Sequence, residues 1–177
     1  MTLLAPAFHE PLIAAVGAAF LARTGLALGA TDAALSPPEP SPVAVHFPYL
    51  PLAVVGAHLA GQPLNGELVA LGARLRQATR TAPEYRLYAL PDGKRPGLVR
   101  SPGDGARIEV EVWDVPSAKL GAFLAGIAPP LGLGTLALDD GSAVTGFLCE
   151  GYAVEPAQDI TAFGGWRAWR ANKTGRP

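Results

Sequence analysis

Residues 52–55, Leu-Ala-Val-Val, form a short continuous apolar run of the kind that lies inside a sheet, covered on both faces. Gly56, Ala57 and His58 follow as a turn, then a Gly/Gln/Pro/Asn loop. A helix opens at Asn65, which is suited to capping, with Glu67 in its first turn and Leu68, Leu71 and Leu75 as its apolar stripe. The Thr-Ala-Pro-Glu break at 81–84 ends that helix. Residues 85–90, YRLYAL, have strand character, and PDGKRPG is a turn before a short strand at 97–99. Residues 107–115 alternate most clearly: Ile108, Val110 and Val112 face one side, Glu109, Glu111 and Trp113 the other. Pro116 closes this strand and opens a helix over 117–126. The strands 133–138 and 143–149 flank Asp-Asp-Gly-Ser, a hairpin signal, and 152–154 extend the second of them. The tail carries the tight Phe-Gly-Gly-Trp at 163–166, and 171–177 are expected to fray.

The N-terminal part reads differently. Residues 2–8 resemble a strand end, and Leu12, Ile13, Val16 and Phe20 recur at helical spacing over 10–23. Pro11 suits the first turn and Gly25 the position past the end. That apolar stripe needs a partner on another piece of protein. Residues 36–48, with SPPEPSP at their start, hold too many prolines for a helix or an inner strand and read as an extended linker. The expected organisation is a strand-helix piece at 1–35, a linker at 36–48 and a compact domain at 49–171. Many short strands with two well-formed helices imply an α+β domain, built on a small mixed, mostly antiparallel, barrel-like sheet with flanking helices.

Composition narrows the function more than the fold. The 177 residues carry a net charge of −1, with 49% hydrophobic and 16% charged residues, 21 Gly and 18 Pro. Lys and Arg are scattered, which argues against nucleic-acid binding. No apolar stretch approaches the roughly 18 residues of a membrane span, and residues 1–7 lack a signal-peptide pattern. A cytoplasmic protein is expected. The one cysteine, Cys149, excludes an intramolecular disulfide and a multi-cysteine metal site, and reads as buried filler.

No Walker loop, HExxH, GxSxG or dinucleotide fingerprint is present, and neither a metal nor a cofactor is implied. His58 is the best candidate acid or base, since histidine titrates near neutrality and sits here at a strand end beside a glycine. The alternative is a core or capping histidine with both nitrogens satisfied. Arg80 and Arg86 are candidate carboxylate ligands. Arg80 reads more readily as a surface arginine, whereas Arg86 lies within a strand and needs an acid opposite it. Glu150 is a candidate for that acid, with Glu109 and Glu111 as alternatives. A solvated strand face is the default reading of the latter two.

Six segments carry a resemblance: VVGAHLAGQPLN, TRTAPEYRLYAL, RIEVEVWDVP, APPLGLGTL, GFLCE and DITAFGGWRAW. In order and spacing, across about residues 50–170, they resemble the C-terminal domain of allophanate hydrolases. Residues 2–31 similarly resemble the last stretch of the amidase domain that precedes it. The resemblance implies a fold like the γ-glutamyl cyclotransferases, with the VGAHL turn in the place of their glycine-containing strand-end loop. It departs from that family in GAFLAGIAPPLG, which offers no glutamate for the cyclotransferase acid/base. The amidase's Ser-Ser-Lys signature is also missing from this chain. The implied role, without biotin, is decarboxylation of the N-carboxycarbamate that the amidase domain releases in urea and allophanate degradation. His58 would then deliver a proton to nitrogen. Gly56, Ala57, Leu59, Asn65 and Arg86 would orient the carboxylates, Tyr85 and Tyr88 would supply wall or hydrogen bonds, and Glu150 would complete the substrate-binding set. Expected partners are a small dicarboxylate-like substrate, the amidase domain of the same enzyme and a second copy in a homodimer. The alternative is a non-catalytic assembly domain that organises the amidase dimer or recruits pathway partners.

Overall fold

A computed structural model of the chain describes Thr2, Leu4 and residues 10–25 and 48–174. The chain divides into two compact units, Met1–His46 and Phe47–Pro177. In the first, helix α1 spans Glu10–Thr24 and stops at Gly25, whose φ of +62° is the left-handed turn expected past a helix end. Leu12, Val16 and Phe20 are exposed along it. The strand end expected at 2–8 and the linker at 36–48 lie outside the described residues, apart from Thr2, Leu4 and Pro48.

The second unit is the α+β domain anticipated from the pattern, with its strands divided between two sheets. Strands β1 (Tyr49–Val54), β2 (Arg74–Arg80), β5 (Glu109–Pro116), β6 (Leu131–Ala137) and β7 (Ala143–Cys149) form a five-stranded sheet in the order β2-β5-β1-β7-β6. Only the β1–β7 pair is parallel. Strands β3 (Tyr85–Ala89), β4 (Pro96–Arg100) and β8 (Gln158–Asp159) form a second, antiparallel sheet in the order β4-β3-β8. Helices α2 (Asn65–Leu71), α3 (Ser117–Ala125) and α4 (Trp166–Thr174) complete the unit. No described helix is long and apolar enough to cross a membrane.

The apolar run 52–55 is buried throughout because β1 lies inside the larger sheet, between β5 and β7. The Asp-Asp-Gly-Ser hairpin forms as expected, pairing Ala137 with Ala143 and Leu131 with Cys149. Helix α3 starts directly after Pro116, where β5 ends.

Three elements differ from the sequence reading. Helix α2 stops at Leu71, and residues 74–80 form β2 instead of a continued helix. Gly72 takes a left-handed φ of +81° and turns the chain, which then pairs with β5, placing Leu75 opposite Trp113 and leaving it exposed. The helical spacing of Leu68, Leu71 and Leu75 is thus a coincidence across a helix stop. Residues 151–153 form a 3-10 turn, so 152–154 do not prolong β7. Residues 171–174 continue α4, which Trp166 and Trp169 anchor in the core; 175–177 lie outside the described residues.

The fourth difference concerns β5. Its Glu109/Glu111/Trp113 side is not a solvated face: Glu111 is only 3% exposed and Trp113 6%. β5 is a central strand between β1 and β2, and Arg167 of α4 meets both glutamates from that side.

Candidate functional site

The buried strand β1 delivers the Gly56-Ala57-His58 turn to the wall of a cleft of about 200 Å³. Its apolar lining includes Val54, Val55, Ile127, Leu131 and Phe147, and its polar side chains are His58, Glu67 and Arg95. Gly56 is required by a close approach: a Cβ there would fall 2.3 Å from Cγ of the rigid Pro96 ring, which also lines the cleft. The backbone folds tightly after it, with the Leu59 N–H donating to the Gly56 carbonyl at 3.0 Å and the Leu64 N–H to that of Ala57 at 2.8 Å.

His58 is set by four contacts. Its Nε2 lies 3.0 Å from Oε2 of Glu67, which α2 places in its first turn. Its ring meets Phe123 edge-on at 5.3 Å and stacks towards Phe147 at 6.4 Å. Its carbonyl accepts from Asn65 Nδ2 at 3.0 Å. The imidazole is therefore held between two aromatic rings, with a carboxylate on one nitrogen. That carboxylate fixes which ring nitrogen faces it.

Arg95 supplies the cationic side. Its Nε lies 2.5 Å from Asp92 Oδ2, and its Nη1 donates to the Pro129 carbonyl at 3.2 Å. Burial pushes the Asp92 carboxyl up, but hydrogen bonds from the Lys94 and Arg95 N–H groups and the Arg95 side chain outweigh it and hold the group below its usual range. Asp92 is thus ionised at neutral pH where it meets the Arg95 guanidinium.

The sequence-derived set divides on this geometry. His58, Gly56 and Ala57 line the cleft, and Asn65 acts on it through the His58 carbonyl. Leu59 does not line it; its side chain is fully buried in the core. Tyr85 is also a core residue, with its Oη accepting from the Ala137 N–H at 2.8 Å. Arg86 belongs to the other sheet, where it pairs with Asp159 and Asp104 beneath the Tyr88 ring at 5.8 Å. The acid facing Arg86 is therefore neither Glu150, Glu109 nor Glu111, and Glu150 lies exposed outside the cleft lining. Strand register explains this: Arg86 shares a face of β3 with Tyr88, two residues on, and Tyr88 stands opposite Asp159 in β8. Sequence reasoning missed Glu67 and Arg95. Glu67 looked like an ordinary first-turn acid, and Arg95 lay in a segment read only as a turn.

Asp159 gives a pH prediction. Partial burial raises its carboxyl, but hydrogen bonds from the Thr161 side chain and backbone, and from Arg86, hold it below the usual range. Its ionised form is favoured by folding, so its contribution is full above the unfolded value of about 3.9 and fades as pH falls through the lower folded value. Asp159→Asn should lower the melting temperature at neutral pH and flatten its decline below about pH 4, read by thermal melts across that range. An unchanged acid limb would exclude this pair as a contributor.

Cys149 is buried, and burial pushes its thiol up, which disfavours a nucleophilic thiolate. No group of three or more His, Cys, Asp or Glu able to hold a metal occurs among the described residues.

A family model described as the allophanate hydrolase C-terminal domain matches residues 50–171. The urea amidolyase of Saccharomyces cerevisiae is 42% identical over 124 residues, which are 67% of this chain and 7% of that protein. The crystal structure of Kluyveromyces lactis allophanate hydrolase superposes with a TM-score of 0.67 at 36% identity, over 80% of this chain and 24% of that one. The structure of c4763, described as a uropathogenic E. coli-specific protein, gives the same TM-score at 33% identity, covering 71% of this chain and 98% of its own. The chain thus spans only a small part of the urea amidolyase, but nearly the whole of c4763.

Proposed function

Since the chain belongs to the allophanate hydrolase C-terminal domain family, we propose that its cleft takes up N-carboxycarbamate, the dicarboxylate an amidase would release from allophanate, and removes one carboxyl group as carbon dioxide. The observation that best supports this reading is the His58–Glu67 pair, 3.0 Å apart, at an otherwise mostly apolar cleft that also holds Arg95.

When the C–N bond breaks, its electron pair stays on nitrogen and carbon dioxide leaves, so a proton must reach that nitrogen. His58 is the donor. With Glu67 on Nε2, the protonated ring keeps Nδ1–H to give, and solvent restores the proton afterwards. Arg95 holds the carboxylate that remains, as the residue suited to that geometry. The leaving carboxylate lies against Val54, Ile127, Leu131 and Phe147, where little stabilises its charge. Strong donors there would hold the ground state and slow the loss. The product, carbamate, decays to ammonia and a second carbon dioxide.

Malonate has the same two carboxylates without the scissile nitrogen and serves as a stable probe. Calorimetry with the full chain should show malonate binding that weakens at least about tenfold in His58→Ala and in Arg95→Met, a loss of one good charge-assisted contact. A soaked crystal should place malonate between those side chains. Malonate that binds all three proteins alike, or none, would remove the reading. It would then favour the assembly role, for which the exposed Leu12, Val16 and Phe20 of α1 offer a surface.

A further inference from the structure

We infer that Arg167 is a positioning residue for His58, which makes the C-terminal helix α4 a working part of the cleft. The inference rests on the reading of His58 as proton donor and adds a residue that lies outside the cleft lining.

The loop from His58 to Asn65 is closed mostly by its own backbone bonds. At Ala60, two residues beyond His58, it meets charge instead. The Ala60 N–H donates to Glu111 Oε2 at 2.8 Å, and the Ala60 carbonyl accepts from Arg167 Nη2 at 2.7 Å. Arg167 binds Glu111 with the same nitrogen and Glu109 Oε1 with Nη1 at 2.8 Å. One guanidinium thus joins α4, two positions of β5 and the His58 loop. A planar fork with two separated terminal nitrogens suits this spread of acceptors, whereas a lysine ammonium presents its donors from one point and matches it less well. The approach is tight by construction: a Cβ on Gly165, just before α4, would fall 2.8 Å from Glu109 Oε2.

Burying Glu111 carries a desolvation penalty that an apolar pair would avoid, which points to a role beyond stability. Holding Ala60 by both backbone polar atoms supplies one. The His58 ring must stay between Phe123 and Phe147 with Nε2 on Glu67, and a misplacement of about 1 Å can cost about 10²-fold in rate.

The test uses the full chain as Arg167→Met and Arg167→Lys, with Arg86→Met as a control that breaks a charge cluster on the other sheet. Two signals are read by NMR without ligand, well below each melting midpoint: Ala60 amide exchange and the His58 ring 1H–15N cross-peaks. In Arg167→Met, Ala60 exchange should accelerate at least about tenfold, and the His58 peaks should broaden or double. Arg167→Lys should recover part of both, and Arg86→Met should lower the melting temperature yet leave both at wild type. Arg167→Met that melts lower with both signals unmoved overturns the inference, as does Arg86→Met moving them equally. Should Arg167→Met not fold, Arg167→Lys against wild type is read by the same criteria. Wild type that binds no malonate, with His58 still disturbed in Arg167→Lys, would sink the decarboxylase reading and leave the coupling in place.

Discussion

Glu111→Ala is expected to destabilise the domain by about 3–5 kcal/mol, the usual penalty for breaking a buried ion pair from one side. Glu111 is 3% exposed and accepts from the Ala60 N–H, from Trp113 Nε1 at 3.1 Å and from Arg167. Alanine leaves the buried Trp113 Nε1–H and the part-buried Ala60 N–H without this acceptor, and Arg167 with Glu109 as its remaining acidic partner. Against a typical domain stability of about 5–15 kcal/mol, that loss puts folding itself at risk. Glu111→Gln keeps the shape and one acceptor oxygen while losing the charge, so it should cost less, about 1.5–3 kcal/mol. Urea unfolding followed by tryptophan fluorescence orders the two directly, because Trp113 sits on this carboxylate. An Ala variant within about 1 kcal/mol of wild type, the scale of a surface pair, would show that the cluster is an incidental contact.

His58→Ala is expected to slow decarboxylation by about 10²–10⁴-fold, down to the spontaneous rate if that is reached first. The proton that must reach the departing nitrogen then comes from water, which is neither positioned nor acidic enough. The assay supplies N-carboxycarbamate in place, from an allophanate-cleaving amidase lacking its own C-terminal domain, and follows early carbon dioxide release against ammonia. Glu67→Gln should lie between wild type and His58→Ala, because the imidazole keeps a hydrogen-bond partner but exchanges a charge-assisted contact for a weaker neutral one that orients the ring less firmly. Equal rates for wild type and His58→Ala would end the case for catalysis at this turn.

These effects fall on residues that the sequence revealed to different degrees. His58 could be singled out because the apolar run 52–55 leads straight into Gly56-Ala57-His58, and a strand end beside a turn is where reactive groups are exposed. Arg95 could not be, since nothing in PDGKRPG says which way its long side chain turns. That direction is set by Asp92, which accepts the N–H groups of Lys94 and Arg95 and then the Arg95 guanidinium. Arg86 invited a pocket role because a charge within a strand demands an acid. The demand was sound, and Asp159 meets it on the far sheet.

What the sequence determined by itself is local: the buried run of β1, the β6–β7 hairpin, the stop at Pro116 before α3, and the Gly56-Ala57-His58 turn. Each is written in the spacing of neighbouring residues, within reach of backbone sterics and hydrophobic periodicity. The family likeness was also legible, as six short segments whose order and spacing resemble that domain. What only the tertiary structure decided is which charges meet. Ala60, Glu109, Glu111 and Arg167 come from three separate parts of the chain, and Arg95 reaches the His58 cleft from the turn before β4. Such pairings depend on strand order and on how closely α4 packs, and a charged side chain carries no mark in sequence of the partner, tens of residues away, that will neutralise it.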